Sequence, residues 1–222
     1  MEASDWILIR GMIQCCGKGE ERRKESETRS AQGVLGRGQV TSENIGDRLA
    51  RASKGLPESL DIFTRRGNKI ENTVRINCES KNRELMQKNE LEKIKKEIPS
   101  QLEKEIVQAS AFDSTYNCVG YVFSSGRVWI HPDQVYKVLS DDEYITVDYN
   151  DVKPGDLAIY EDSRTFSVQH IGLVVIAEKD DYFLKIRILS KWGNLGLFIH
   201  PPQVFTSLHG DKIHYRRICR EI

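Results

Sequence analysis

No sign of charge dominates this chain: Lys+Arg and Asp+Glu both number 33, and the formal net charge is zero. Bulk electrostatics therefore leaves no footprint of a nucleic-acid or membrane-surface partner. Long apolar runs are missing too, and no stretch approaches the roughly 18–20 apolar residues of a membrane span. The early patch Trp6-Ile7-Leu8-Ile9 follows Glu2 and Asp5 and is cut by Arg10. A secretory signal needs a basic start and a longer unbroken core, so the expected location is cytoplasmic. The cysteines are odd in number and scattered (Cys15, Cys16, Cys78, Cys118, Cys219). Without a CxxC pair or a dense even set, they exclude a disulfide framework and point to a reducing compartment. Cys15-Cys16 beside a basic cluster is read as part of an unstructured start rather than as an acylation site.

Large apolar side chains are also scarce over residues 14–56, where Gly, Ser, Lys, Arg and Glu prevail. Such a composition buries too little surface to offset ordering entropy, so the segment is expected to be disordered. Residues 57–78 are slightly richer and fit either a short helix or a strand, and the whole of 1–80 is expected to be at most weakly structured. Over 81–109 the pattern turns helical. Leu85, Leu91, Ile94 and Ile98 form a thin stripe among Glu–Lys pairs, and Leu102 and Ile106 continue it beyond a break at Pro99. That stripe suits packing against the following domain or against a helical protein partner; the charges read as a solvated face.

At about Ser110 the character changes again, and 110–222 reads as one domain. The turn Lys153-Pro154-Gly155-Asp156 enters the apolar run Leu157–Tyr160, Gln169–Ala177 is a second run, and Glu178–Asp181 turns a hairpin. Tyr182, Leu184, Ile186, Ile188 and Ser190 alternate with Lys185, Arg187 and Lys191. Leu197–Ile199 and a closing strand at His214–Ile218 follow. A helix followed by an antiparallel meander is an α+β layout.

The chemistry centres on Ser114-Thr115-Tyr116-Asn117-Cys118-Val119-Gly120-Tyr121-Val122-Phe123. A polar turn stops, a cysteine follows, and an apolar run at helical spacing begins, with Ser114 or Thr115 placed to cap it. A thiol in a first helical turn meets unpaired backbone N–H groups and is drawn toward thiolate. A small buried hydrophobe is the competing reading. His170, at the head of Gln169-His170-Ile171-Gly172-Leu173-Val174-Val175, is the candidate base, with Gly172 leaving room beside it. If the hairpin turns near Asp180-Asp181, His170 faces residue 190 or 191. Parity then makes Ser190 the candidate orienter of the ring, with Asn194 next.

Three pieces in this order carry a family resemblance: Asn117-Cys118-Val119-Gly120-Tyr121, Lys153-Pro154-Gly155-Asp156-Leu157 and His170-Ile171-Gly172-Leu173-Val174. Together, over residues 110–220, the chain resembles the NlpC-type branch of the papain-like cysteine peptidases and amidases. The resemblance implies a papain-like α+β domain whose cysteine helix packs on an antiparallel sheet. It implies Cys118 as nucleophile, His170 as general base, and the Cys118 backbone N–H, with Asn117 or Tyr116 nearby, as oxyanion donors. The implied reaction is attack on a peptide or other amide carbonyl, an acyl-enzyme, then hydrolysis or acyl transfer, with no cofactor. One position departs: Ser190 stands where the family usually has His, Asn, Gln or Asp, and a hydroxyl orients imidazole less firmly.

The remaining candidates weigh toward structure. His200 precedes Pro201-Pro202 and reads as a loop residue; His131-Pro132-Asp133 reads as a helix start. The histidine and cysteine spacings match no zinc pattern, so no metal is expected. Trp129 and Trp192 are either groove walls or core. Against the thiol hydrolase stands a second class of function: an inactive papain-like domain that binds a protein partner through its charged helices.

Overall fold

The computed structural model describes residues 56–76, 83–179, 183–206, 208 and 210–219. The expectation of disorder over the first 55 residues, Cys15, Cys16, Cys78, His209 and the tip of the 178–181 turn lie outside them, wholly or in part. Within residues 57–78 a short strand does form: β1 (Asn72–Thr73) pairs antiparallel with β3 (Trp129–Ile130).

The helical stretch is divided by Pro99. Helix α1 (Arg83–Glu97) ends ahead of it, and α2 (Ser100–Glu103) starts immediately after, because the residue before proline is pushed out of the helical region. Val107–Gln108 then forms an edge strand, β2, where the sequence pattern predicts helix. The stripe apart from Leu85, which is exposed, packs on the domain that follows: Ile98 is buried, and Leu91, Ile94, Leu102 and Ile106 lie against the core.

Helix α3 (Cys118–Ser124), helix α4 (Gln134–Asp141) and strand β4 (Tyr144–Val147) lead into the sheet. Its other strands are β5 (Leu157–Asp162), β6 (Ser167–Lys179), β7 (Leu184–Lys191), β8 (Leu197–His200) and β9 (Lys212–Ile218), with α5 (Gln203–Thr206) between the last two. The seven strands run in the order β2-β8-β7-β6-β5-β9-β4, every pair antiparallel. The α+β class is as expected, with the cysteine-bearing helix packed on an antiparallel sheet. The plain meander is not: it holds for β5–β8, and the closing strand β9 then inserts between β5 and β4.

The Pro-Gly-Asp turn is anchored from that closing strand. Asp156 is buried, accepts from the Lys153 N–H, and accepts two bonds from the Arg217 guanidinium at 2.7 and 2.8 Å. One face of the sheet carries Ala158, Tyr160, Val174, Ile186, Ile188 and Phe198, packed with Trp192, Leu195, Val204 and Phe205. Alternate residues on the same strands, including Ile159, Ile171, Leu173 and Leu189, are buried on the opposite face. Because both faces are covered, Lys191 is wholly buried, not on the solvent side with Lys185 as its place in the alternation predicts.

Candidate active site around Cys118

Cys118 is the first residue of α3, and the residue before it makes the helix start. Asn117 is extended (φ −105°, ψ −173°), and its Oδ1 accepts from the Gly120 N–H at 2.9 Å. The same amide bridges to β3: Oδ1 accepts from the Ile130 N–H at 3.2 Å, and Nδ2 donates to the Ile130 carbonyl at 2.7 Å. The cap is therefore Asn117, not Ser114 or Thr115. The latter bonds to Asp113 in a turn one step earlier. Both ends of the Asn117 amide are engaged in holding the helix. Gly120 permits the close approach: a Cβ there would lie 1.9 Å from the Val128 carbonyl oxygen.

Cys118 as a residue is half-buried. Burial of the thiol pushes its pKa up. Backbone N–H groups of Ile171, Val119 and Cys118, and the positive charge of Lys191, pull it back down. Three N–H donors and one ammonium thus bear on the sulfur. Tyr116, two residues earlier, is almost buried, and its hydroxyl is pushed up to about 12 by burial and by the Asp113 and Tyr121 charges, so it stays protonated.

His170 lies in β6, directly before the residue whose N–H meets the sulfur. Successive strand residues point to opposite faces, so the His170 ring and the Ile171 side chain diverge. The His170 ring is buried and stacks on Phe205, with 3.7 Å between centroids and 7° between planes; Tyr160, its cross-strand partner, is 5.7 Å away. The structure thus brings Cys118 to the backbone beside His170, with the imidazole turned toward the aromatic cluster.

Ser190 shares the face of Ile186 and Ile188 as parity requires, but it stands opposite Gly172, two residues along from His170. A bulge between Val174 and Ile176 shifts the register by one. Gly172 does leave room, and that room is filled from β7: a Cβ on it would lie 2.5 Å from Ile188 Cγ2 and 2.9 Å from Ser190 Cβ. The ring that Ser190 meets is His200, at 2.8 Å from Nε2. His200 closes β8 and is fully buried, which its place before two prolines concealed. Its Nδ1 bonds the Pro201 carbonyl at 2.9 Å. A carbonyl only accepts, so Nδ1 carries the proton and Nε2 accepts from the Ser190 hydroxyl. Burial lowers the His200 pKa to about 4, so the ring is neutral.

Of the other candidates, Trp192 joins this cluster, edge-on to His200 and Phe205, while Trp129 and His131 lie outside it. Trp192 is core, stacked on Phe198 at 4.4 Å between centroids, and Trp129 lies under the Arg75 guanidinium. His131 is exposed beside Asp133 at the start of α4. Among the described residues no group of three or more His, Cys, Asp or Glu is placed to hold a metal ion, and no helix is long and apolar enough to cross a membrane. Comparison of the chain with protein-family models, with curated proteins and with solved structures finds no match.

Proposed function

We propose that this protein is a thiol hydrolase or acyltransferase that opens an amide bond through an acyl-enzyme on Cys118. The observation that carries this reading is the sulfur's setting. It opens a helix, belongs to a half-buried residue, and has the N–H groups of Ile171, Val119 and Cys118 turned toward it. Those donors favour an anion, either the thiolate or the oxyanion that forms when it adds to a carbonyl. In this reading the domain is papain-like and of the NlpC type. The base this reading names is His170, whose backbone neighbours the sulfur; its ring stacks on Phe205 and must leave that stack to take the thiol proton and return it to the leaving amine. Asn117 serves by fixing the helix start, and the oxyanion is left to backbone donors.

The inert-domain reading rests on two opposing observations, the upward push of burial on the thiol and the His170 ring stacked on Phe205 rather than turned to the sulfur. Iodoacetamide labelling, site-resolved by mass spectrometry across pH, decides between them. The hydrolase reading expects a Cys118 midpoint below the ~8.5 of a free thiol, rising in His170→Ala. A Cys118 that labels only after unfolding, indifferent to His170, sinks it.

A further inference from the structure

We propose that Lys191 is the cation that holds Cys118 as a thiolate, delivered from β7 on the sheet face that the His170 ring leaves. This rests on the nucleophile reading of Cys118 and supplies what that site otherwise lacks on its own side of the sheet.

The register places the two together. Leu173 pairs with Leu189. One step of two residues outward along each strand, Ile171 and Lys191 share that same face. Ile171 gives its N–H to the Cys118 sulfur, and the Lys191 charge acts on the same thiol. The loop before α3 closes over it: the ammonium sits 5.0 Å from the centroid of the Tyr116 ring. The ammonium also donates to the Gly193 carbonyl, which leaves two of its three protons for other acceptors.

The groups that face it are few and named. Asp113 from the loop, Cys118 from α3 and Glu90 from α1 all favour its charged form, against the burial that disfavours it and brings its pKa down to about 8. A surface lysine gains nothing from such a position. A fully buried one on a strand end, under an aromatic ring and beside a thiol, has a charge for which the protein provides. Burial works against both charges, pulling the ammonium's pKa down and pushing the thiol's up, and each charge favours the other against it.

The test compares Cys118 alkylation across pH in wild type, Lys191→Met and Lys191→Arg, with the exposed Cys219 as internal reference. Lys191→Met is expected to raise the Cys118 midpoint by about one unit, slowing labelling near neutrality about tenfold, while Lys191→Arg, which keeps a charge, restores most of it. Independently of whether Lys191→Met folds, 13C-lysine NMR follows Lys191 in wild type and Cys118→Ser. Removing the thiolate is expected to lower the Lys191 midpoint, and identical midpoints overturn the pair. If Cys118 labels natively with the same midpoint in Lys191→Met, the role of Lys191 falls and the nucleophile stands. If Cys118 labels only on unfolding, both fall.

Discussion

Ser190 and His200 show what a residue's type and place in the chain reveal. Parity along β7 puts Ser190 on the buried face, and it is there. Its partner depended on a bulge and on how the strand returns: Ser190 pairs with Phe198, which sets His200 on the same face two residues later. That parity across the Gly193-Asn194 turn was the available signal. The pair has a pH consequence. A histidine ordinarily near 6.5, held at about 4 in the folded state, binds its proton later than in the unfolded chain. Stability from this source is complete above about pH 6.5 and is lost as pH falls toward 4, by about 3 kcal/mol in all. Urea titrations over that range are expected to show a shallower slope for His200→Gln than for wild type. Equal slopes would mean that His200 does not charge on unfolding.

At the level of elements, the start of α3 carries the most meaning in the fewest atoms. Seven residues make a short helix, and its position rests on the Asn117 amide rather than on its own length. Asn117→Ala removes a cap worth roughly 1 kcal/mol and breaks two bonds to Ile130, for a total of about 3 kcal/mol. Asn117→Asp keeps the capping oxygen and is expected to lose about half of that, read from denaturant midpoints. An alanine variant as stable as wild type would show that β3 holds the helix by other means. The helix start after Asn117 was visible in the sequence, since the apolar spacing of Val119, Val122 and Phe123 is helical. Lys191 was not: in the alternation of β7 it belongs with Lys185 and Arg187 on the outward side. Only the loop at Asp113–Asn117 and the helix laid over that face convert a solvent position into a buried one.

For the molecule as a whole, the decisive element is the last strand. β9 fills the space between β5 and β4 and brings Arg217 to Asp156, the carboxylate that shapes the turn into β5. A chain ending at residue 210 leaves β5 with an open edge and Asp156 buried without its cation, and is expected to lose cooperative thermal unfolding altogether; a sharp transition in that truncation would overturn this. The sequence by itself determined the things that depend on near neighbours: the α+β class, the break at Pro99, the Pro-Gly-Asp turn, the run of strands and the cysteine at a helix start. Spacing and turn chemistry act over a few residues, and those were enough. What only the tertiary structure decided is which side chains meet. Strand order, the bulge beyond Val174 and the covering of the second sheet face join residues tens of positions apart. That is why Ser190 finds His200, His170 stacks on Phe205, and Lys191 is set beside Cys118.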